Sequence, residues 1–367
     1  MKGTTERLES RKGGSMMRWM TGAAVAALMA LPVGAQPAEA QEVQRISGND
    51  VAVYNLAGRV EVVPGSGSDV VVRIDRGGRD AAQLRIETGP VRGRSTLRVI
   101  YPDDEIVYPG MGRGSNTTTT VRADGTFSDG DWGRRDPVRI SGRGGGMEAW
   151  ADLTIEVPSG RSLAVYQAVG EVDARGIDGD LLIDTGSGGV SVVDVAGSVD
   201  VDTGSGSVRI RDVVGNLRVD TGSGSVEVRD VRGREIEVDT GSGGVRGSGL
   251  SADVVVIDTG SGSIEVTSVT SRDVMLDTGS GSIDVELTTD VDRLDADTGS
   301  GSITVRAPAG LGATVDIETG SGGIDLDFPV EVRSVRRDRV QGTIGDGRGE
   351  IRIDTGSGSV RLIRTRN

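Results

Sequence analysis

The residues with the clearest chemical potential are aspartates that recur in one short motif. The hexapeptide Asp-Thr-Gly-Ser-Gly, followed by Ser or Gly, occurs nine times, once with Glu in place of Asp. The motif begins at Asp184, Asp202, Asp220, Asp239, Asp258, Asp277, Asp297, Glu318 and Asp354. Two carboxylates that meet across a cleft can share a proton and act as a catalytic pair. Carboxylates grouped around a centre can instead bind a hard cation such as Ca²⁺.

The spacing of the motif argues against the catalytic pair. Successive starts lie 18 to 21 residues apart, except for a last gap of 36. A pair of the aspartic-protease type needs two aspartates from separate lobes, whereas a regular period places all of them in one column. We therefore expect a structural turn, in which each aspartate points outward or accepts hydrogen bonds from the following Gly and Ser amides.

Calcium binding along this column stays open as an alternative. Carboxylates stacked at the spacing of neighbouring strands repel each other by on the order of 1 kcal/mol even in water, so something must offset the repulsion. Backbone amides, nearby arginines or a divalent cation would each serve. The candidate calcium ligands are Asp184, Asp202, Asp220, Asp239, Asp258, Asp277 and Asp297.

The residue types that are missing exclude most other catalytic chemistry. The chain contains no His and no Cys, and its only lysines are Lys2 and Lys12. Ser-His-Asp and Cys-His nucleophile systems, His-bound or thiolate-bound metals and disulfides are therefore ruled out. We expect a protein that is not an enzyme and that holds no cofactor beyond the calcium considered above.

The residues around the motif predict the elements that position it. The residues three and one before each acidic start are apolar, as Val199 and Val201 are before Asp202. The residue six positions after the start is always Val or Ile, and a polar residue follows it. This alternation indicates two short strands on either side of a glycine corner. The predicted fold is all-β, a parallel β-helix-like solenoid of about ten short coils with an N-terminal β cap.

The predicted organisation has four parts. Residues 1–40 form a signal peptide, 41–102 an N-terminal β-strand cap, 103–148 an irregular Gly-, Asp- and Thr-rich insertion, and 149–367 the solenoid of repeats. The insertion shows no period and contains four consecutive threonines, so we expect a loop.

The C-terminal end carries two further expectations. The gap of 36 residues before Asp354 is twice the shortest spacing, which predicts one degenerate repeat near residue 336. The last strand contains Arg361 and Arg364 and is followed by Arg366. Charge of this kind is typical of an open sheet edge that must resist pairing with a neighbour.

The N-terminus and the net charge indicate an exported protein. Basic residues precede the apolar stretch Trp19–Leu31, and Ala38-Glu39-Ala40 offers a cleavage site. Removal of residues 1–40 leaves 36 basic against 52 acidic residues. Such an acidic chain is poorly suited to bind nucleic acid or an anionic membrane surface. We expect a location in the periplasm, on the cell surface or in the medium, with no integral membrane segment in the mature chain.

Four aromatic residues in or beside the insertion are the candidates for partner binding. They are Tyr108, Phe127, Trp132 and Trp150, in a chain with only nine aromatic residues. Exposed aromatic side chains are frequent in binding surfaces. Packing of the same residues against the first coils as a lid is the simpler alternative.

The order of these features resembles the bacterial putative-adhesin family of β-strand-repeat proteins. The features are the signal peptide, an opening such as Val51–Val62, an irregular insertion, the entry Ile-Glu-Val-Pro-Ser-Gly at 155–160, and Gly-Ser-Gly strand repeats. The resemblance covers most of the chain from about residue 46. It implies an exported, adhesin-like β-solenoid without established catalytic residues, in a family that is a domain of unknown function.

The functional expectation is a non-enzymatic, adhesin-like solenoid that presents a binding surface for a protein or glycan of the cell envelope. Two alternatives stay open. One is a structural scaffold stabilised by cations. The other is a carbohydrate-active β-helix enzyme, whose carboxylates would come from the insertion. Those carboxylates are Asp103, Asp104, Glu105, Asp129 and Asp131.

Overall fold

The computed structural model describes residues 42–365 except 129, 131 and 132. The predicted signal peptide, Trp132 and Arg366 therefore lie outside the described residues. The described part of the chain is built of strands, with two short 3₁₀ helices at Ala81–Gln83 and Pro109–Met111. Within that part, no helix has the length and the apolar character needed to cross a membrane.

The strands fall into four groups along the chain. The N-terminal strands are β1 (Glu42–Ile46), β2 (Asp50–Ala57), β3 (Val60–Pro64), β4 (Val70–Gly77), β5 (Arg85–Val91) and β6 (Arg94–Ile100). The strands of the insertion are β7 (Glu105–Val107), β8 (Asn116–Arg122), β9 (Arg135–Ser141) and β10 (Met147–Glu148). The entry and the repeats contribute β11 (Trp150–Val157), β12 (Ser162–Val169), β13 (Val172–Asp178), β14 (Leu181–Ser187), β15 (Val190–Ala196), β16 (Val199–Thr203), β17 (Val208–Val214), β18 (Leu217–Thr221), β19 (Val226–Arg232), β20 (Glu235–Thr240), β21 (Val245–Ser251), β22 (Val254–Thr259), β23 (Ile264–Val269), β24 (Asp273–Thr278), β25 (Ile283–Leu287), β26 (Arg293–Thr298), β27 (Ile303–Ala307), β28 (Ala313–Thr319) and β29 (Ile324–Leu326). The C-terminal strands are β30 (Val330–Val335), β31 (Arg339–Ile344), β32 (Gly349–Thr355) and β33 (Val360–Arg364).

Two long sheets form the solenoid, and each coil contributes one strand to each of them. The 15-stranded sheet contains every hexapeptide start, and we call it the acidic sheet; the 14-stranded sheet is the second sheet. The acidic sheet places its coil strands in the order β2, β12, β14, β16, β18, β20, β22, β24, β26, β32 and β28. These parallel strands make eleven coils in the described residues and confirm the predicted β-helix-like solenoid.

Neighbouring coils pair in register, so equivalent residues form ladders along the solenoid. Asp184 lies beside Asp202, and Thr185 beside Thr203, and the same pairing continues through the following coils. Side chains alternate between the two faces of a strand. The aliphatic residues and the motif threonines are therefore buried, while the motif aspartates lie on the outer face. Val, Ile and Leu ladders supply a thin, continuous apolar core.

The corner between the two strands of a coil requires glycine. Gly206, the fifth residue of its hexapeptide, has a φ of +152°. A Cβ atom there would lie 1.9 Å from the carbonyl oxygen of Gly188 in the preceding coil. Only glycine adopts this backbone angle and this close approach without strain. The repeated glycines therefore reflect the stacking of one corner directly on the next.

The first coil comes from the N-terminal segment. Strands β2 and β3 pair in parallel with β12 and β13, so the Val51–Val62 segment is a diverged repeat, as expected. Strand β3 lies between β11 and β13, which are closer to each other in sequence. The strands β1, β4, β5 and β6 extend the two sheets beyond this coil.

The insertion is more regular than the sequence indicated. Strands β7 to β10 form a separate four-stranded sheet in the order β10, β7, β9, β8. The four threonines at 117–120 lie in β8, which pairs antiparallel with β9. Their exposure alternates along the strand. The expected loop at 103–148 thus contains a small sheet, and threonine is well suited to it because β-branched residues favour strands.

The C-terminal end differs from the predicted order of coils. Strand β32, which carries Asp354, lies between β26 and β28, so Asp354 stands between Asp297 and Glu318. Strand β33 likewise lies between β27 and β29. The repeat that comes last in the sequence is therefore the second-to-last coil along the solenoid. The expected sheet edge at Arg361 and Arg364 is wrong, because both residues lie in an interior strand.

The long gap before Asp354 contains no hidden repeat. Strands β30 and β31 form an antiparallel hairpin, and β31 pairs antiparallel with β28. The expected degenerate coil near residue 336 is wrong for this reason. The hairpin covers the edge of the acidic sheet at the last coil, and Arg339 binds Asp316 across this pairing, with 2.9 Å between Nε and Oδ1.

Candidate functional site

A cleft of about 360 Å³ lies where the insertion meets the corners of the first coils. The insertion contributes one wall, formed by Tyr108, Gly110, Met111 and Ser115, and the other wall includes Arg59, Glu171 and Gly189. These three residues occupy the sixth position of the repeat in the first three coils. All later coils carry Ser or Gly there. The otherwise uniform repeat therefore becomes charged at the end that holds the insertion.

The backbone around the cleft holds two aromatic rings in place. Tyr108 follows β7, and its amide donates to the Ser141 carbonyl at 2.9 Å. Its ring lies so close to Gly110 that a Cβ atom there would be 2.4 Å from the Tyr108 Cζ. The Trp150 ring lies on Gly77 in the same way, with 2.2 Å from a built Cβ to Cε2. The Tyr108 and Trp150 ring centroids are 5.8 Å apart, with an angle of 53° between the rings.

An exposed ion pair forms the charged rim of the cleft. The Arg59 Nη2 and the Glu171 Oε2 are 2.7 Å apart, with side chains 64% and 60% exposed. The Arg59 backbone amide donates to the Asp152 Oδ1 at 2.7 Å. Burial raises the pKa of Tyr108; the carboxylates of Asp152 and Glu171 raise it further, and Arg59 opposes them. The Tyr108 hydroxyl therefore lies within the electrostatic reach of all three charged residues.

This arrangement provides groups for recognition. It combines a fixed aromatic ring with a guanidinium, two carboxylates and exposed glycine backbone. A phenol with a raised pKa stays protonated at neutral pH and offers a hydrogen-bond donor. Pockets that bind small molecules hold about 300–1,000 Å³, so the volume of this cleft suits a small group.

The four predicted aromatic residues do not form one patch. Tyr108 borders the cleft and Trp150 packs against it, whereas Phe127 is 1% exposed. Phe127 meets Tyr54 edge to face at 5.8 Å, and Tyr54 stacks on Tyr166 at 4.6 Å. Phe127 thus packs the insertion against the first coils, as in the lid alternative. Trp132 lies outside the described residues.

Sequence reasoning missed the charged residues of the cleft. Arg59 and Glu171 belong to the two coils without the hexapeptide, so the motif did not reveal them. Alignment of Gly58-Arg59 and Gly170-Glu171 with Gly188-Gly189 would have placed both charges at the sixth position. That alignment is the signal that was present in the sequence.

The aspartates of the motif form the predicted column on the acidic sheet. The pKa values of Asp202, Asp258 and Asp297 lie above the usual aspartate range, first because burial disfavours the charge and then because neighbouring aspartates repel it. The residues pair in register from coil to coil, in the order Asp184, Asp202, Asp220, Asp239, Asp258, Asp277, Asp297, Asp354 and Glu318. Among the described residues, no three acidic, His or Cys side chains converge to hold a metal.

Among the described residues, Asp103, Asp104 and Glu105 do not line the cleft. The Asp103 Oδ1 accepts a hydrogen bond from the Glu105 amide at 3.0 Å, and the Asp104 carbonyl accepts one from the Arg139 amide at 2.8 Å. The three side chains Asp103, Asp104 and Glu105 are exposed. Asp129 and Asp131 lie outside the described residues. The acidic residues seen here support the start of β7.

Comparison with known proteins identifies the family. A search of curated proteins finds no significant match. A putative cell adhesion protein from Clostridium sporogenes is 9% identical, with a TM-score of 0.20, over 89% of this chain and 99% of its own. A putative adhesin from Bacteroides fragilis is 12% identical, with a TM-score of 0.33, over 90% of this chain and 100% of its own. The model of the Toastrack DUF4097 family matches residues 149–362, so this chain belongs to that family, a domain-of-unknown-function family as the sequence led us to expect.

Proposed function

We propose that this chain is an exported, non-enzymatic, adhesin-like solenoid whose insertion-bearing end binds a protein or glycan of the cell envelope. The observation that carries the proposal is the cleft, where a fixed Tyr108 ring faces charged residues at the sixth repeat position. Ligand sites are concave and place a few polar groups beside apolar or aromatic surface. The uniform coils beyond the cleft act as a rigid shaft.

Export is part of the same proposal. The basic N-terminus, the apolar stretch and the Ala-Glu-Ala site at 38–40 support removal of a signal peptide. The absence of Cys and the strongly acidic balance are compatible with the periplasm, the cell surface or the medium. A mature N-terminus beginning at Gln41, measured by mass spectrometry on protein from the native host, is the expected result.

Two glycines allow the cleft to be blocked without disturbing the fold. Gly189 and Gly244 both hold the sixth repeat position, and neither has a positive φ. The nearest atom to a built Cβ is the Ser207 carbonyl oxygen at 3.7 Å for Gly189, and the Ser263 carbonyl oxygen at 3.4 Å for Gly244. Gly189 borders the cleft and Gly244 lies in a distant coil. Gly189→Gln should therefore fill the cleft, and Gly244→Gln is the matched control.

Capture of partners from cell-envelope extract tests the proposal. Immobilised wild-type chain and Gly244→Gln should retain the same component, and Gly189→Gln should lose most of it. Circular dichroism spectra of the three proteins should agree, which excludes unfolding as the cause. Equal capture by Gly189→Gln and wild type would show that the cleft is not the binding site.

A cation-stabilised scaffold is the second candidate, and the aspartate ladder is the observation that favours it. Burial raises the pKa of Asp258 and the neighbouring carboxylates raise it further, so a bound divalent cation would relieve repulsion along the column. Thermal melting in calcium and in chelator tests this function. A melting temperature that rises with calcium supports the scaffold, and identical melting curves contradict it.

A further inference from the structure

We propose that the cleft binds one sugar unit of a glycan, and that this unit is neutral or carries an amino group rather than an acidic one. The inference rests on the proposed function and names the ligand class for the same cleft. Three features carry it: the held ring of Tyr108, the exchangeable ion pair of Arg59 and Glu171, and the excess of negative charge around them.

The ring of Tyr108 supplies the apolar surface that a sugar requires. A pyranose has one face lined by C–H groups, which packs on an aromatic ring, and hydroxyl groups around its edge. Tyr108 is half-buried, and contact with the Gly110 backbone and the Trp150 ring fixes its position. A fixed ring loses little conformational entropy on binding. Met111 and Val169 are the other apolar side chains in the lining, so the apolar part of the cleft is small.

The ion pair supplies donors and acceptors to sugar hydroxyls. The Arg59 guanidinium and the Glu171 carboxylate are planar groups that lie side by side, 2.7 Å apart. Adjacent hydroxyls on a sugar ring each donate and accept, so they match such a donor and acceptor pair. Exposed ion pairs contribute only about 0–1 kcal/mol to stability, so exchanging one partner for a hydroxyl costs little. Ser115 and Ser187 add hydroxyl groups to the lining.

The balance of charge selects among sugars. Two carboxylates contact Arg59: the Asp152 Oδ1 accepts a hydrogen bond from its backbone amide at 2.7 Å, and the Glu171 Oε2 lies 2.7 Å from its Nη2. Arg59 is the one cationic residue among those that line the cleft, so these carboxylates outnumber it. The whole chain adds to this field, with a net charge of −14. A carboxylate on the ligand would be repelled, and an ammonium group would be attracted. The favoured class is therefore a neutral hexose or an amino sugar.

Three sugars that share one ring skeleton test the charge preference. Saturation-transfer NMR and titration of the full chain should show binding of glucose and glucosamine, and glucuronate should bind about tenfold more weakly than glucosamine. Gly189→Gln should abolish the signal and Gly244→Gln should keep it. Tyr108→Leu should weaken binding of both sugars by removing the ring. Equal or tighter binding of glucuronate, or unchanged binding by Gly189→Gln, would overturn the inference.

A treatment of the envelope extract separates this inference from the proposed function. Periodate cleaves adjacent diols in glycans, so it should abolish capture by the wild-type chain. Capture that survives periodate but is lost after protease treatment of the extract, together with its loss in Gly189→Gln, would leave the cleft as a binding site and identify a protein ligand. That result contradicts the sugar inference alone.

Discussion

The threonine ladder in the core allows a sharp test of how the coils stack. All the motif threonines are buried, but their hydroxyls differ in bonding. The Thr259 Oγ1 donates to the Gly243 carbonyl of the preceding coil at 3.0 Å. The Thr203 Oγ1 has no hydrogen-bond partner. Each threonine with a bonded hydroxyl lies in a coil that starts 19 or more residues after the previous coil in sequence. Thr185, Thr203 and Thr221, whose hydroxyls have no partner, lie in coils that start 18 residues after the previous one. Replacing each of Thr203 and Thr259 by Val exchanges the hydroxyl for a methyl group of similar size.

The two substitutions should change the free energy of unfolding in different ways. A hydrogen bond contributes about 0.5–1.5 kcal/mol net, and leaving its buried partner unpaired costs about 1–3 kcal/mol. Thr259→Val leaves the Gly243 carbonyl without this donor, so we expect a loss of about 1–2 kcal/mol. Thr203→Val removes a buried hydroxyl that already lacks a partner, so we expect no loss or a gain of up to about 1 kcal/mol.

Urea unfolding followed by far-UV circular dichroism measures both effects, because this signal reports on all the coils. The slope of free energy against urea should match that of the wild type in both variants, so that the midpoints compare stability directly. We expect the Thr259→Val midpoint to fall and the Thr203→Val midpoint to stay or rise. Equal destabilisation by the two substitutions would refute the difference in hydrogen bonding.

Four further substitutions test the corners and the charged sheet. Gly224→Ala should cost at least about 3 kcal/mol, because φ is +151° and the new Cβ would lie 1.9 Å from a carbonyl oxygen of the preceding coil. Gly189→Ala places its Cβ 3.7 Å from the nearest carbonyl oxygen, an ordinary van der Waals contact, and should melt like wild type. Asp258→Asn should raise the melting temperature at pH 7, because the pKa of Asp258 is raised and its charged form therefore destabilises the fold at that pH. The wild type should gain stability as pH falls through the raised pKa, and the variant should lack this gain. Asp316→Asn should lower the melting temperature at pH 7. Arg339 holds the pKa of Asp316 below its usual range, so the charged carboxylate stabilises the fold at pH 7. This contribution is lost as pH falls through the lowered pKa.

The ladders of the solenoid could be predicted because local and repeating patterns determine them. The apolar positions at Val199 and Val201 and the glycines around Ser205 fix strands and a corner within one coil. A constant period then places equivalent residues beside each other. The outward aspartates and the buried threonines follow from the alternation of the strand.

The order of the last coils could not be predicted from the motif itself. Each coil offers nearly the same edge to its neighbour. The sequence of β32 is therefore equally compatible with a position beside β26 and with a position beyond β28. Two spacings gave a partial signal. The step of 21 residues before Glu318 is the longest ordinary step, and there the chain climbs past two strand positions instead of one. The 36-residue gap then contains the hairpin that returns the chain.

Sequence reasoning singled out one residue of the cleft lining, Tyr108, and did not predict the cleft itself. Composition alone drew attention to Tyr108 and Trp150, since aromatic residues are rare in this chain. The same reasoning included Phe127, whose burial depends on long-range contact with Tyr54. Arg59 and Glu171 meet across 112 residues of sequence, and only the pairing of the first two coils brings them together. Contacts of this range are set by the fold and not by local pattern.

Engineered cysteine pairs test most directly that the acidic hexapeptide is a corner in a ladder of in-register coils. The chain has no native Cys. The Ser359 amide donates to the Ser302 Oγ at 3.2 Å, which places the coil that starts at Asp354 beside the coil that starts at Asp297. Neighbouring strands lie about 4.8 Å apart, within the span of a disulfide, and a separation of two strands is about twice that distance. We predict that Ser302→Cys with Ser359→Cys forms a disulfide on oxidation and that Ser302→Cys with Gly323→Cys does not. The reverse result would contradict the stacking of the coils.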